Sequence, residues 1–211
     1  MIISPSIASG DLLHAADEVG FICEHFPNVH VDIEDGVHLN NISFGFKFAH
    51  RVCGAASKPV SMHLMVNDPV FWIPDVQRCG AAVTFVHFDH LHDPIAALDA
   101  YQRAGIPVGL GLSSRDFQHN TWNQLLAQVE SVLVLTCDID DPSQCFVPYL
   151  ADFSKDLARH SGKQVWVDGA IDFPMLAGLE DAGVYAAVMG RAVFRDKVNA
   201  RREAETWNPH I

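Results

Sequence analysis

The sequence lacks several features that mark particular classes of protein. No apolar run reaches the roughly 18 residues that a membrane-spanning helix needs, so we expect no membrane span. The first residues, Met1 to Pro5, show no basic segment followed by a long apolar stretch, which argues against a signal peptide. The five cysteines include no C-x-x-C pair and are odd in number, which does not suit a disulfide framework. A reducing cytoplasm is therefore the expected location.

Positive charge is also scarce in this chain. Lys plus Arg total 14 against 26 Asp plus Glu, which gives a formal net charge of −12. An acidic surface repels nucleic acid and anionic membranes, so we expect neither as a partner. It gives no long-range attraction to a phosphorylated substrate either, so any phosphate group must be held by local contacts.

Eight short apolar runs recur along the chain with helical stretches between them. Successive runs begin roughly 20–33 residues apart, a spacing typical of strand–loop–helix–loop units. Their apolar character indicates strands that are buried on both faces of a parallel sheet. The runs cover residues 2–7, 29–33, 60–65, 83–88, 108–112, 132–136, 165–168 and 186–189. We therefore predict an α/β fold, a single (β/α)₈ TIM barrel domain over residues 1–211, with a doubly wound open sheet as the alternative.

Polar side chains end several of these predicted strands, where the active sites of such barrels lie. His30 and Asp32 are two apart on the second strand and so project to the same face. His63 lies on the third strand, and Asp168 ends the seventh. Imidazole and carboxylate groups suit zinc, iron, manganese or cobalt, so these four residues are candidate ligands of one divalent metal ion. Alternatively, the histidines are hydrogen-bonded core residues and the aspartates are caps or salt-bridge partners.

The other histidines receive no direct role. His87, on the fourth strand, is expected to be structural or to support the candidate ligands from behind. The histidines expected to be solvated are His14, His25, His50, His90, His92, His119, His160 and His210.

Asp32 and Asp168 can also be interpreted as an acid–base pair. Strands two and seven lie roughly opposite each other in a barrel, so a flat enediolate between them would have one carboxyl group on each face. One carboxyl group would remove a proton and the other would return it to the opposite face, which inverts the carbon. A metal ion bound to adjacent substrate oxygens would stabilise the enediolate charge as a Lewis acid.

At these same residues the chain resembles the ribulose-phosphate 3-epimerase family. The resemblance covers residues 4–194 and depends on separated motifs that occur in the family's order. These motifs are Ser4-Pro5-Ser6, His30-Val31-Asp32-Ile33-Glu34-Asp35-Gly36, Asn41-Ile42-Ser43-Phe44-Gly45, His63-Leu64-Met65, Val86-His87, Val167-Asp168-Gly169 and Gly190-Arg191-Ala192-Val193-Phe194.

The resemblance implies a (β/α)₈ barrel and assigns roles to individual residues. It makes Asp32 and Asp168 the acid–base pair, places Ser6 in contact with substrate near the metal, and makes Met65 part of a cap over the site. It also implies dimers or larger homo-oligomers. The metal ligands that it implies are His30, Asp32, His63 and Asp168.

The chain departs from the family where phosphate is bound. After the sixth strand the family usually has the glycine-rich stretch Asn-Pro-Gly-Phe-Gly-Gly-Gln, whereas residues 138–144 here read Asp-Ile-Asp-Asp-Pro-Ser-Gln. Gln144 keeps the register of this stretch. Backbone N–H groups of a glycine-rich loop form an anion-binding nest, and three aspartates in the loop would repel a dianion.

Two further glycine pairs of the family are altered. Gly169-Ala170 stands for the usual Gly-Gly after the seventh strand, and Gly190-Arg191 stands for Gly-Ser after the eighth. Arg191 can supply a bidentate phosphate contact, or it can pair with Asp140 or Asp141. The predicted substrate-binding residues are Ser6, Met65, Gln144, Gly169, Ala170, Gly190 and Arg191.

The metal and acid–base set is therefore complete while the phosphate contacts are changed. This pattern predicts a metal-dependent sugar or sugar-phosphate 3-epimerase, acting on a ketose phosphate or related ketose other than ribulose 5-phosphate, or on that substrate less efficiently. Glu34, where the family has methionine, can accept a hydrogen bond from a substrate hydroxyl, or it is a rim carboxylate bonded to solvent or Arg191. The alternatives are a related phosphosugar decarboxylase or isomerase and a non-catalytic sugar-binding barrel. A decarboxylase is expected to carry a lysine at a strand end, and the sequence shows none there.

Overall fold

The computed structural model describes residues 1–118, 122–138 and 143–207, and it shows strands and helices in alternation. The strands are β1 Ile2–Pro5, β2 Val29–Glu34, β3 Val60–Met65, β4 Val83–His87, β5 Val108–Leu112, β6 Ser131–Leu135, β7 Gln164–Asp168 and β8 Ala186–Met189. The helices are α1 Ala15–His25, α2 Phe46–Ala55, α3 Ile73–Cys79, α4 Pro94–Arg103, α5 Trp122–Leu126, α6 Pro148–Ser161, α7 Leu176–Glu180, α8 Arg191–Phe194 and α9 Lys197–Trp207. Within the described ranges, no helix combines the length and apolar character needed to cross a membrane.

All eight strands are parallel and form one sheet in the order β1-β8-β7-β6-β5-β4-β3-β2. An isolated parallel bridge between Ser6 and His30 joins the two end strands, so the barrel is nearly closed. Because each strand follows its sequence neighbour around the sheet, the predicted barrel is confirmed and the doubly wound alternative is wrong.

The strands are buried on both faces, as their apolar runs predicted. Since successive side chains of a strand point to opposite faces, one set packs inside the barrel and the other against the helices. The inner cluster includes Phe85, Leu133 and Trp166, whereas Val31 and Val167 belong to the larger outer cluster. The barrel is therefore filled with side chains and is not a channel.

The first strand is shorter than predicted because the chain turns after Pro5. Ser6 caps a 3₁₀ turn, Ile7–Ser9, and its Oγ accepts a hydrogen bond from the Ala8 backbone N–H at 3.3 Å. The turn keeps Ser6 beside β2, where it bridges to His30.

Candidate metal and acid–base centre

The structure brings the four predicted metal ligands together at the carboxyl ends of β2, β3 and β7. The β2–β3 register sets Asp32 beside His63. One donor atom from each of His30, Asp32, His63 and Asp168 lies within 4.8 Å of the others. Both imidazole side chains are inaccessible to solvent, and the carboxylates are 10% and 16% exposed. This juxtaposition, which the sequence suggested, creates a compact buried set of nitrogen and oxygen donors.

A chain of hydrogen bonds fixes which nitrogen of His30 faces the carboxylates. The Ser61 hydroxyl donates to Asn28 Oδ1 at 2.7 Å, so its oxygen accepts from His30 Nδ1–H at 2.8 Å. Nε2 of His30 therefore points inward, 3.2 Å from Asp32 Oδ1 and 3.9 Å from Asp168 Oδ2. A neutral His30 ring would carry its lone pair on Nε2, facing two carboxylates, so either a proton on Nε2 or a bound cation is needed there.

His63 also turns one ring nitrogen inward and the other toward a neighbour. Its Nδ1 lies 3.2 Å from Asp168 Oδ2 and 3.5 Å from Asp32 Oδ1. Its Nε2 lies 2.8 Å from Nε2 of His87. His87 is thus in contact with a candidate ligand, as expected, and Gly111 on β5 makes room for it, because a Cβ there would lie 2.9 Å from His87 Nε2.

The charges of the four residues depend on one another. Burial alone would raise the pKa of Asp32, but the charges and hydrogen bonds of His30 and His63 outweigh burial and hold that pKa well below its usual range. Burial opposes protonation of His63 as well, yet Asp168 and Asp32 raise its pKa to about 9. Two carboxylates thus demand positive charge at this position, from protons or from a metal ion. The donor set fits a divalent metal ion held by nitrogen and oxygen.

The predicted substrate-binding residues line one cavity of about 490 Å³ that opens beside this centre. Asp32 and Asp168 form part of its wall, so a substrate in the cavity would touch both carboxylates. The described residues that line it include no lysine. The predicted residues in its lining are Ser6, Met65, Gln144, Gly169, Ala170, Gly190 and Arg191.

Arginines at the rim supply the only positive side chains that the described residues contribute to this cavity. Arg191 donates to the backbone carbonyl of Gln144 at 3.1 Å, and Asp140 and Asp141, its other predicted partners, lie outside the described residues. Arg195, four residues later, lines the same cavity and lies 3.4 Å from Asp172. Sequence reasoning missed Arg195, although its spacing from Arg191 places both on one helical face.

The loop after β7 has a strained backbone. Gly169 has a φ of 105°, and a Cβ there would lie 2.6 Å from Cys137 Sγ, so glycine is required. Ala170 has a φ of 55°, a left-handed conformation that costs a residue with a Cβ about 1–2 kcal/mol. The replacement of the family's second glycine by alanine therefore introduces strain.

Glu34 lies at the rim of the cavity and pairs with a neighbour that the sequence analysis did not consider. Asn41 Nδ2 donates to its carboxylate, whereas Arg191, one of the alternative partners considered for Glu34, donates to the Gln144 carbonyl. Burial and the Asp32 charge raise the pKa of Glu34 to about 7. Near neutral pH this carboxyl group can therefore donate or accept a hydrogen bond.

A second group of polar side chains was missed. His38 received no role, yet it is buried, and its ring lies 5.3 Å from that of His87. Burial lowers the pKa of His38 to about 4. His90 was expected to be solvated, but its side chain is one-fifth exposed and bonds to Asp89 at 3.4 Å and to the Asn67 carbonyl at 3.0 Å. The close spacing of His87, Asp89 and His90 at the end of β4 could have indicated this polar group from the sequence.

Comparisons with known proteins agree with this geometry. The model of the ribulose-phosphate 3-epimerase family matches residues 2–194. A ribulose-phosphate 3-epimerase of Mycobacterium leprae is 25% identical over 221 residues, which cover 100% of this chain and 98% of that protein. Among solved structures, KGPDC from Streptococcus mutans matches with a TM-score of 0.70 and 13% identity, covering 97% of this chain and 95% of the other. Phosphoribosyl anthranilate isomerase from Thermococcus kodakaraensis has a TM-score of 0.66 and 13% identity, with 97% of each chain covered. The two structural matches support the fold alone.

Proposed function

Because the chain belongs to the ribulose-phosphate 3-epimerase family, we propose that it is a metal-dependent 3-epimerase of a ketose phosphate or related ketose. Its relatives are isomerases that act on carbohydrates. The proposal is carried by one observation, the convergence of His30, Asp32, His63 and Asp168 within 4.8 Å at the wall of a cavity of sugar size.

His30, Asp32, His63 and Asp168 would hold one divalent ion of zinc, iron, manganese or cobalt. When bound, the ion supplies Lewis-acid stabilisation of negative charge on adjacent substrate oxygens. Ser61 and His87 orient the two imidazoles, because each contacts the outward nitrogen of one ring.

Asp32 and Asp168 are proposed to move the C3 proton. They come from strands far apart in the sheet order, and both border the cavity, so they can reach opposite faces of a flat enediolate. One carboxylate removes the proton from C3, and the other carboxyl group returns a proton to the opposite face, which inverts that carbon. Ser6 donates a hydrogen bond to Asp32 Oδ2 and so orients this carboxylate.

The substrate's phosphate would be held by side chains instead of a glycine-rich nest. Arg191 and Arg195 offer local positive charge in a chain whose net charge is −12. Gln144, Gly169, Ala170 and Gly190 would shape the same part of the cavity. Met65, which is 5% exposed, would cover the reacting carbons from above the metal centre.

Three parts of the proposal depend on the sequence alone. They are the extent of the single domain over residues 1–211, the cytoplasmic location, and the homo-oligomeric state. A small sugar or sugar phosphate is the partner that family membership supports.

Deuterium exchange tests the proposed reaction. Purified protein in D₂O should place one deuterium at C3 of ribulose 5-phosphate or another ketose phosphate, as read by NMR. Matched reactions with the unphosphorylated ketoses decide whether phosphate is recognised. Arg191→Ala should weaken turnover of phosphorylated substrates more than that of free sugars. No exchange into any ketose or ketose phosphate would favour the sugar-binding alternative.

A further inference from the structure

Three metal-ligating side chains form a second group beside the candidate metal centre. His38 lies in the segment after β2, His87 ends β4, and Asp89 follows two residues later. One donor atom from each lies within 4.8 Å of the others. His38 and His87 are 5% and 1% exposed, and the Asp89 side chain is 9% exposed. Two buried imidazoles and a buried carboxylate are the ligand types of a zinc-like site.

Both imidazoles of this group present a nitrogen that no other described residue satisfies. Nε2 of His38 and Nδ1 of His87 are buried, and neither has a hydrogen-bond partner among the residues that the structure describes. A buried polar atom without a partner destabilises the folded protein, and a ligand bound between the two rings would remove that cost. His87 Nε2 is occupied by His63, so Nδ1 is the atom left to bind.

We propose that His38, His87 and Asp89 form a second site for a divalent transition-metal ion, weaker than the first site. The ranking of the two affinities, although not the second site itself, depends on the metal centre of the proposed function. A bond of about 2 Å to each ligand separates ligand atoms by about 3.4 Å in a tetrahedral site, so modest side-chain movement would close this group around an ion.

Neighbouring groups favour the weaker affinity. The Arg115 guanidinium donates to the backbone carbonyl of His38 at 3.0 Å and brings positive charge close to the site. His90 contacts one oxygen of Asp89 and so competes for the carboxylate. The first site has two carboxylates and the second has one, which also lowers the attraction for a cation.

Titration of metal-free protein with Co²⁺ tests the proposal, because the visible spectrum of Co²⁺ reports its ligands. The wild type should take up two ions, the second more weakly. His38→Ala should take up one ion whose affinity matches the tighter wild-type site. His92→Ala, an exposed histidine nearby, is the matched control and should keep both ions. His38→Gln and thermal melts guard against loss of folding.

Asp168→Asn separates the two sites. It removes a ligand of the first site only, so the tighter ion should be lost or greatly weakened while the weaker ion keeps its wild-type affinity. A His38→Ala variant that takes up as many ions as the wild type would overturn the second site. If the wild type takes up a single ion that is lost in His38→Ala and kept in Asp168→Asn, the first site is overturned and the second stands.

Discussion

The two ends of the barrel carry cavities of similar size but different chemistry. The cavity at the amino ends of the strands measures about 580 Å³ and the one at the carboxyl ends about 490 Å³. Glu130 and Tyr185 are the titratable side chains among the described residues of the first, whereas the second brings together four carboxylates and two arginines. Cavity volume therefore does not identify the functional site in this barrel, whereas the convergence of charged groups does.

The two ends meet at a buried polar network. Asn28 lines the amino-end cavity and accepts a hydrogen bond from the Ser61 hydroxyl. Ser61 in turn accepts a hydrogen bond from His30 at the metal centre. Below this network the interior is filled by Phe85, Trp166 and their neighbours. The amino end of the barrel is thus dominated by packed side chains, whereas the carboxyl end carries the reactive groups. Asn28, Ser61 and His30 connect the two ends.

The largest expected effect is on catalysis at the carboxyl end. Asp32→Asn and Asp168→Asn should each lower kcat/KM by about 10²–10⁴-fold, because each removes one proton-transfer group. Glu130→Gln, at the amino-end cavity, is the matched control and should keep full activity. C3 deuterium exchange measures the activity of all three variants. An equal loss of activity in Glu130→Gln would contradict the assignment of catalysis to the carboxyl end alone.

Truncation of the packed interior should affect stability instead of chemistry. Phe85→Ala should lower the free energy of unfolding by about 3–5 kcal/mol, since it removes a fully buried ring. Phe71→Ala, where the ring is 68% exposed, should change it little. Urea unfolding measures the difference, and activity per folded molecule of Phe85→Ala should stay within a few-fold of wild type.

Removal of the metal ion from the centre at the carboxyl ends of the strands should destabilise the folded protein. An ion present at about 100 times its Kd adds about 2.7 kcal/mol to the free energy of unfolding, so a chelator should remove that amount and the activity together. Added Zn²⁺, Mn²⁺ or Co²⁺ should restore both. A thermal transition that ignores chelator and metal alike would contradict the proposed centre.

The connecting network offers a sharper test. Ser61→Ala removes the acceptor of His30 Nδ1–H, so the ring loses the bond that fixes its tautomer. Metal affinity should fall by about 10–100-fold, the usual effect of losing such a partner. Direct metal titration measures it. Ser61→Thr keeps the hydroxyl and should recover most of the affinity; if it binds as weakly as Ser61→Ala, packing explains the loss.

The smallest expected effect concerns the strained loop after β7. Ala170→Gly should raise the free energy of unfolding by about 0.5–1 kcal/mol, because relief of the left-handed strain exceeds the entropy cost of glycine. Ala56→Gly, where φ is −69°, is the matched control and should lower it. Destabilisation by both substitutions would show that Ala170 is not strained.

Much of the fold and of the candidate site could be predicted because the information is local. The spacing of the apolar runs identified all eight strands, and the two-residue spacing of His30 and Asp32 placed both on the inner face of β2. The end of the first strand was misplaced, because the capping role of Ser6 depends on the turn that follows.

The sequence by itself determined which donor types stand at the carboxyl ends of the strands, since periodicity and chemistry are properties of short segments. Only the tertiary structure decided that His63 meets His87, that His38 joins Asp89, and that Arg191 reaches the Gln144 carbonyl. Those contacts join segments distant in the chain, and they depend on strand register and on rotamers that the packing of neighbouring strands selects.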